Sequence, residues 1–166
     1  EGSKFTVTLE YRIADKSYYE QDTEKFSDVD ETDRISGKHI LLAEDNDLNA
    51  EIAQFILEDM GLMVDRVEDG VQCVSRIEQK PAGTYDLILM DIQMPNMDGY
   101  RATEMIRGLS DKNKANIPII AMTANAFEED RKKALAKGMN GHIAKPVDAE
   151  KVEKTICSVL GRQSEQ

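Results

Sequence analysis

From Gly37 onward the chain sets five short apolar runs between amphipathic stretches, and this alternation constrains the fold more than any other feature. The runs cover residues 39–43, 63–67, 87–90, 117–122 and 142–144. Between and after them the apolar residues fall at helical spacing. Leu48, Ile52, Phe55, Ile56 and Met60 mark the apolar face of a first helix, closed by Gly61. Val71, Val74 and Ile77 mark a second, ended by Pro81, and Ala102, Met105, Ile106 and Leu109 a third. Phe127, Ala134 and Leu135 give a weaker fourth; Val152, Ile156, Val159 and Leu160 give a fifth, with Asp148 as its expected N-cap. Strand and helix alternating five times specify a doubly wound α/β domain, a parallel sheet with helices on both faces.

In such a sheet, ligands bind beyond the carboxyl ends of the strands, where the strand order reverses. Glu44 and Asp45 follow the first run, Asp91 the third, Thr123 the fourth and Lys145 the fifth. Each alone would be ordinary in a βα turn, but together they put three carboxylates, a hydroxyl and an ammonium on one edge. Crowded carboxylates repel unless a cation lies among them, and oxygen ligands suit a hard ion such as Mg2+. A carboxylate can also attack phosphorus to give an aspartyl phosphate. Phosphoryl transfer needs positioning and charge neutralisation, which a metal, Lys145 and the Thr123 hydroxyl would supply around Asp91. The stretch PNMDG at 95–99 makes a turn beside Asp91, with Asp98 a candidate cap for the next helix.

Upstream the pattern differs. Phe5, Val7, Leu9, Tyr11 and Ile13 alternate with Thr6, Thr8, Glu10 and Arg12, the period of a half-buried strand. One strand cannot stand alone in water, so residues 1–14 read as the last strand of an upstream domain. Residues 15–36 are acidic and aperiodic and read as a linker; 37–161 form the α/β domain and 162–166 a tail. A net charge of −11 argues against nucleic-acid or anionic-membrane partners. No run approaches the roughly 20 apolar residues of a membrane helix, and no signal pattern opens the chain. Cys73 and Cys157 lack metal-site spacing and read as core residues in a reducing, cytoplasmic compartment.

Four strings carry a resemblance to a known family: LLAEDNDLN (41–49), LILMDIQMPNMDGY (87–100), IIAMTANAF (119–127) and GMNGHIAKPV (138–147). Residues 38–161 resemble the response-regulator receiver domain of two-component signalling. The resemblance implies a flavodoxin-like fold with strand order 2-1-3-4-5, five helices and a cis Lys145–Pro146 bond. It implies Asp91 as phosphoacceptor, and Glu44 and Asp45 as the pair that places Mg2+, with Asp45 the more direct ligand. The Gln93 backbone carbonyl would be the third protein ligand, Thr123 the switch hydroxyl and Lys145 the phosphate-pairing ammonium. The string GSKFTVTLEYRIADK resembles the end of a histidine-kinase ATP-binding domain. The two resemblances together imply part of a hybrid histidine kinase, a transferase whose catalytic portion would lie upstream. The donor would be a phosphohistidine. The recipient would be a histidine phosphotransfer protein, or the output a contact with the attached kinase.

Two positions depart from the family pattern. The acidic pair is Glu-Asp rather than Asp-Asp, so the longer Glu44 is expected to act through water. Three residues before the lysine, where the family carries Tyr or Phe, stands His142. It either turns inward as a weaker, ionisable switch or stays outward as a surface residue. A relay partner is expected beside Asp91 on the first helix, where Asn49, Ala50 and Ala53 would permit close approach. Two other functions remain open. A phosphatase of the haloacid-dehalogenase type would use Asp91 as nucleophile, but needs a second Asp where Gln93 stands. A pseudo-receiver would bind partners without phosphorylation, against which the complete set of site residues argues.

Overall fold

The computed structural model describes residues 35–124 and 128–161. The alternating strand expected at 5–13, most of the acidic linker, Phe127 and the tail at 162–166 lie outside the described residues. Five strands, β1 (His39–Ala43), β2 (Met63–Val67), β3 (Leu87–Asp91), β4 (Ile119–Thr123) and β5 (Gly141–Ala144), form one parallel sheet in the order β2-β1-β3-β4-β5. The helices among the described residues are α1 (Asp47–Asp59), α2 (Gly70–Gln79), α3 (Gly99–Arg107), α4 (Lys112–Ala115), α5 (Glu128–Ala136) and α6 (Ala149–Gly161). The fold is thus the doubly wound one expected, with six helices rather than five. The addition, α4, is a single turn capped by the Asp111 side chain, which accepts from the Asn113 and Lys114 amides. Only Ala115 of it is buried, too little to mark an apolar face in the sequence.

The central strands are covered on both faces, which is why they read as unbroken apolar runs. Successive side chains point to opposite sides of the sheet. Leu41, Ile88, Met90, Ile119 and Ala121 therefore meet Cys73, Val74 and Ile77 of α2, Ala102 and Ile106 of α3, and Ala134 of α5. Ile40, Leu42, Leu87, Leu89 and Ile120 pack on the other side with α1 and with Val152, Ile156 and Val159 of α6. Ile35, the first described residue, is buried in this second cluster. The edge strand β2 carries Asp65 and Arg66 and is only partly covered. Asp148 caps α6 as expected, accepting from the Lys151 amide at 3.1 Å.

Helix α1 corrects the sequence reading. Its buried residues are Ala50, Ala53 and Leu57, whereas Leu48, Ile52 and Phe55 are 65%, 44% and 73% exposed. Of the expected apolar face, Ile56 and Met60 pack inward. At about 3.6 residues per turn, positions 50, 53 and 57 lie on one side of the helix and 48, 52 and 55 on the other. The helix has two apolar stripes, and the smaller residues face the sheet. Val71, Met105 and Leu135 are likewise exposed rather than in the core.

Truncating the inward stripe should therefore cost far more than truncating the outward one. Leu57→Ala should lose about 2–5 kcal/mol in urea denaturation. Phe55→Ala should stay within about 0.5 kcal/mol of the parent. Equal losses would contradict this orientation of α1.

Candidate functional site

The strand order places the chain reversal between β1 and β3, whose carboxyl ends lie side by side. Ala43 pairs with Met90, so the next residues, Glu44 and Asp91, emerge as neighbours although they are far apart in sequence. Asp91 pairs with Met122 and Thr123 with Ala144, which brings Thr123 and Lys145 to the same edge. The Lys145 amide donates to the Thr123 carbonyl at 2.7 Å, and the Lys145–Pro146 bond is cis. Thr123 and His142 are both half-buried, on adjacent strands.

Glu44 and Asp91 are 1% and 5% exposed, and one ammonium serves both. Lys145 Nζ lies 2.5 Å from Glu44 Oε2 and 2.7 Å from Asp91 Oδ2. The second Glu44 oxygen accepts from the Asn49 side chain at 3.1 Å and the Asn46 amide at 3.4 Å. Asn46 also caps α1, accepting from the Asn49 amide. Asp91 Oδ1 accepts from the Gln93 amide at 3.2 Å. Asp45, by contrast, is exposed, and among the described residues its carboxylate has no protein partner. The pair is thus divided: both Glu44 oxygens already contact protein donors, whereas the Asp45 carboxylate contacts none among the described residues.

Burial raises the Asp91 carboxyl above its ordinary value, and the neighbouring Glu44 charge adds to this; Lys145 opposes both. Burial alone would lower Lys145, but its hydrogen bonds and attraction to Asp91 and Glu44 outweigh that, and the ammonium is held above its usual value. Glu44, Asp45 and Asp91 each bring an oxygen within 4.8 Å of the others. Three carboxylates against one ammonium leave two negative charges, matching a divalent cation. All the donors are hard oxygens, so the residues fit Mg2+.

The turn from β3 to α3 comes close to the site. The Gly99 amide donates to the Ile92 carbonyl at 3.0 Å, and a Cβ at Gly99 would collide with the Asp91 carbonyl oxygen. Asp98 caps α3 as expected, accepting from the Arg101 amide at 2.7 Å. The structure brings Glu44, Asp45, Asp91 and Lys145 together, ends β4 at Thr123 on the same edge, and adds Asn46 and Asn49 as holders of Glu44. Ala50 and Ala53 cannot form the expected docking surface, because both are buried beneath α1. Asn49 is turned to Glu44. The exposed large apolar residues of α1 are Leu48, Ile52 and Phe55.

Residues 40–157 match the response regulator receiver domain model, and the chain belongs to that family. Sensor protein GacS of Pseudomonas syringae pv. syringae is 37% identical over 123 residues, covering 74% of this chain and 13% of that protein. Signal transduction histidine-protein kinase BarA of Escherichia coli is 39% identical over 117 residues, covering 70% of this chain and 12% of the kinase. The chain therefore spans about an eighth of these relatives.

Among solved structures, the receiver domain of a sensor histidine kinase from Pseudomonas aeruginosa is 40% identical, with a TM-score of 0.67 over 76% of this chain and 99% of that one. That structure has a magnesium ion coordinated in its active-site cleft. The receiver domain of a Saccharomyces cerevisiae response regulator, crystallised with a histidine phosphotransfer protein, is also similar. It is 28% identical, with a TM-score of 0.69 over 77% of this chain and 92% of that one.

Removing the shared ammonium should leave two buried carboxylates uncompensated. Lys145→Met should destabilise the protein by about 3–5 kcal/mol at neutral pH. Without Lys145, the Asp91 carboxyl lies further above its unfolded value, so the penalty is present at neutral pH and shrinks as acid protonates Asp91. Denaturation across pH 4–8 measures this, and a penalty independent of pH would contradict the pairing.

Proposed function

We propose that this domain is a phosphoacceptor in a two-component phosphorelay, with Asp91 receiving the phosphoryl group. The observation that carries the reading is the buried Asp91 carboxylate, held 2.7 Å from Lys145 Nζ beside a carboxylate group suited to a divalent cation. An Asp91 oxygen attacks the phosphorus of a phosphohistidine as the phosphorus–nitrogen bond breaks. The imidazole leaves with the bonding electrons, and an acyl phosphate remains on Asp91. Bound Mg2+ would neutralise phosphoryl oxygens. Asp45, Asp91 and the Gln93 carbonyl would hold it, with Glu44 acting through water because its own oxygens are engaged.

Lys145 neutralises Asp91 before transfer and would pair with a phosphoryl oxygen afterwards. Thr123 ends the neighbouring strand and would donate its hydroxyl to the phosphoryl group. With His142 beside it on β5, it would carry the conformational response. Among the described residues no helix is long and apolar enough to cross a membrane, and the two cysteines form no disulfide. Both features suit a cytoplasmic segment of a larger hybrid kinase.

For the relay partner we assign a histidine phosphotransfer protein docking on α1. Leu48, Ile52 and Phe55 form an exposed apolar stripe on the helix that begins directly after the acidic pair. A cluster of large apolar side chains in water marks a contact surface rather than a random exposure.

With acetyl phosphate and Mg2+, intact-mass analysis should register one added phosphoryl group, absent in Asp91→Asn and strongly reduced in Asp45→Ala. Full labelling of Asp91→Asn would reject the assignment. With a phosphorylated histidine phosphotransfer domain as donor, Phe55→Arg should slow transfer at least tenfold, a rise of about 1.4 kcal/mol in the barrier, while acetyl phosphate still labels it at the parent rate. Slowing of both reactions together would instead indicate a damaged site.

A further inference from the structure

Residues 92–98, between β3 and α3, carry the Gln93 carbonyl. From inside, the turn is fixed by the Gln93 amide on Asp91 and the Gly99 amide on the Ile92 carbonyl. From outside, it is fixed by a residue that the reaction does not otherwise use. Asp69, 6% exposed, precedes α2 and caps it through Oδ1, which accepts from the Gln72 amide at 2.7 Å. Its second oxygen accepts from the Asn96 side chain at 2.8 Å, across the gap between the two βα turns. Beside this bond the Gly70 amide donates to the Met97 carbonyl at 3.1 Å. The turns lie so close that a Cβ at Gly70 would be 2.6 Å from that carbonyl. Asn96 has φ of 60°, a left-handed conformation that Asn tolerates better than most residues.

Capping alone does not account for this arrangement. A helix N-cap needs one side-chain oxygen, and Asn caps as well as Asp. A carboxylate differs in offering acceptors on both sides, one for α2 and one for the turn. The Gln72 amide bond, against the cost of burial and with help from Asn96, holds the Asp69 carboxyl below its ordinary value. It is therefore ionised, and both oxygens accept at neutral pH.

We infer that Asp69 and Asn96 form a positioning bridge that aims the Gln93 carbonyl, and thereby sets the Mg2+ affinity of the site. This rests on the proposed reading of Gln93 as a metal ligand. Partners that orient a ligand from behind commonly change metal affinity by about 10–100-fold when removed. This bridge acts through a backbone turn rather than on a ligand directly, so a smaller effect of about three- to tenfold is expected.

Asp69→Asn keeps an oxygen for the cap but turns an amide nitrogen toward the Asn96 amide. Asn96→Gly keeps the positive φ and deletes only the bridging side chain. Calorimetric titration with Mg2+ alone should give each variant a dissociation constant about three- to tenfold above the parent. The double variant should be no weaker than the weaker single one, since both changes break the same bond. Asp111→Ala, which uncaps the distant α4, serves as the control: it should lower stability in urea without altering Mg2+ affinity. Parental affinity in Asn96→Gly, fully additive losses in the double variant, or an affinity loss in Asp111→Ala that tracks stability would each overturn the bridge. Absence of Mg2+ binding by the parent protein would instead overturn the reading of the site, and the bridge with it.

Discussion

The Lys145 ammonium lies between two carboxylates that are almost wholly withdrawn from water, Glu44 at 2.5 Å and Asp91 at 2.7 Å. Burying such charges is costly, and a buried ion pair seldom stabilises a protein more than apolar residues of the same shape would. The arrangement is therefore weak evidence of stability and better evidence of chemistry. One positive charge contacts two of the three carboxylates, so the edge stays short of neutrality by the charge of a divalent ion. Asn46 and Asn49 complete the restraint by occupying the other Glu44 oxygen, which leaves exposed Asp45 as the readily available carboxylate of the pair.

That constellation depends on the winding of the chain. β1 is flanked by β2 on one side and β3 on the other, so successive crossovers leave in opposite directions and open a crevice at the carboxyl ends. Parallel register then aligns residues far apart in sequence: Ala43 with Met90, Asp91 with Met122, Thr123 with Ala144. Two packed layers hold this register from both faces, and a one-step slip would turn the apolar residues of each strand to the wrong side. Gly99 and Gly70 serve the same end at the rim, where the turn from β3 meets its neighbours too closely for a side chain.

Helix α1 joins the site to the surface. Ala50 and Ala53 let its backbone lie near the sheet, and Leu57 fills the space behind them. Its other side presents Leu48, Ile52 and Phe55 to water, beginning within one turn of the acidic pair. A partner of the proposed kind that docks on this stripe would lie close to the acidic edge. The chain spans about an eighth of the length of the sensor kinases it matches.

Residue pattern alone was enough to read the fold class and which polar groups follow the strands at the edge. Strands covered on both faces must be continuously apolar, as residues 87–90 and 119–122 are, and a polar residue directly after such a run must emerge at the carboxyl end. Glu44, Asp91, Thr123 and Lys145 were legible for that reason. Orientation of α1 was not, because the helix carries apolar residues on two sides and periodicity cannot say which one the sheet covers. Helix α4 left too few buried residues to register. The Asp69–Asn96 bond was equally hidden, since each residue alone reads as an ordinary turn or cap. Only the tertiary structure decided these points, because which polar and apolar groups meet depends on the crossing of βα turns and the seating of helices, and neither is encoded by spacing along one element.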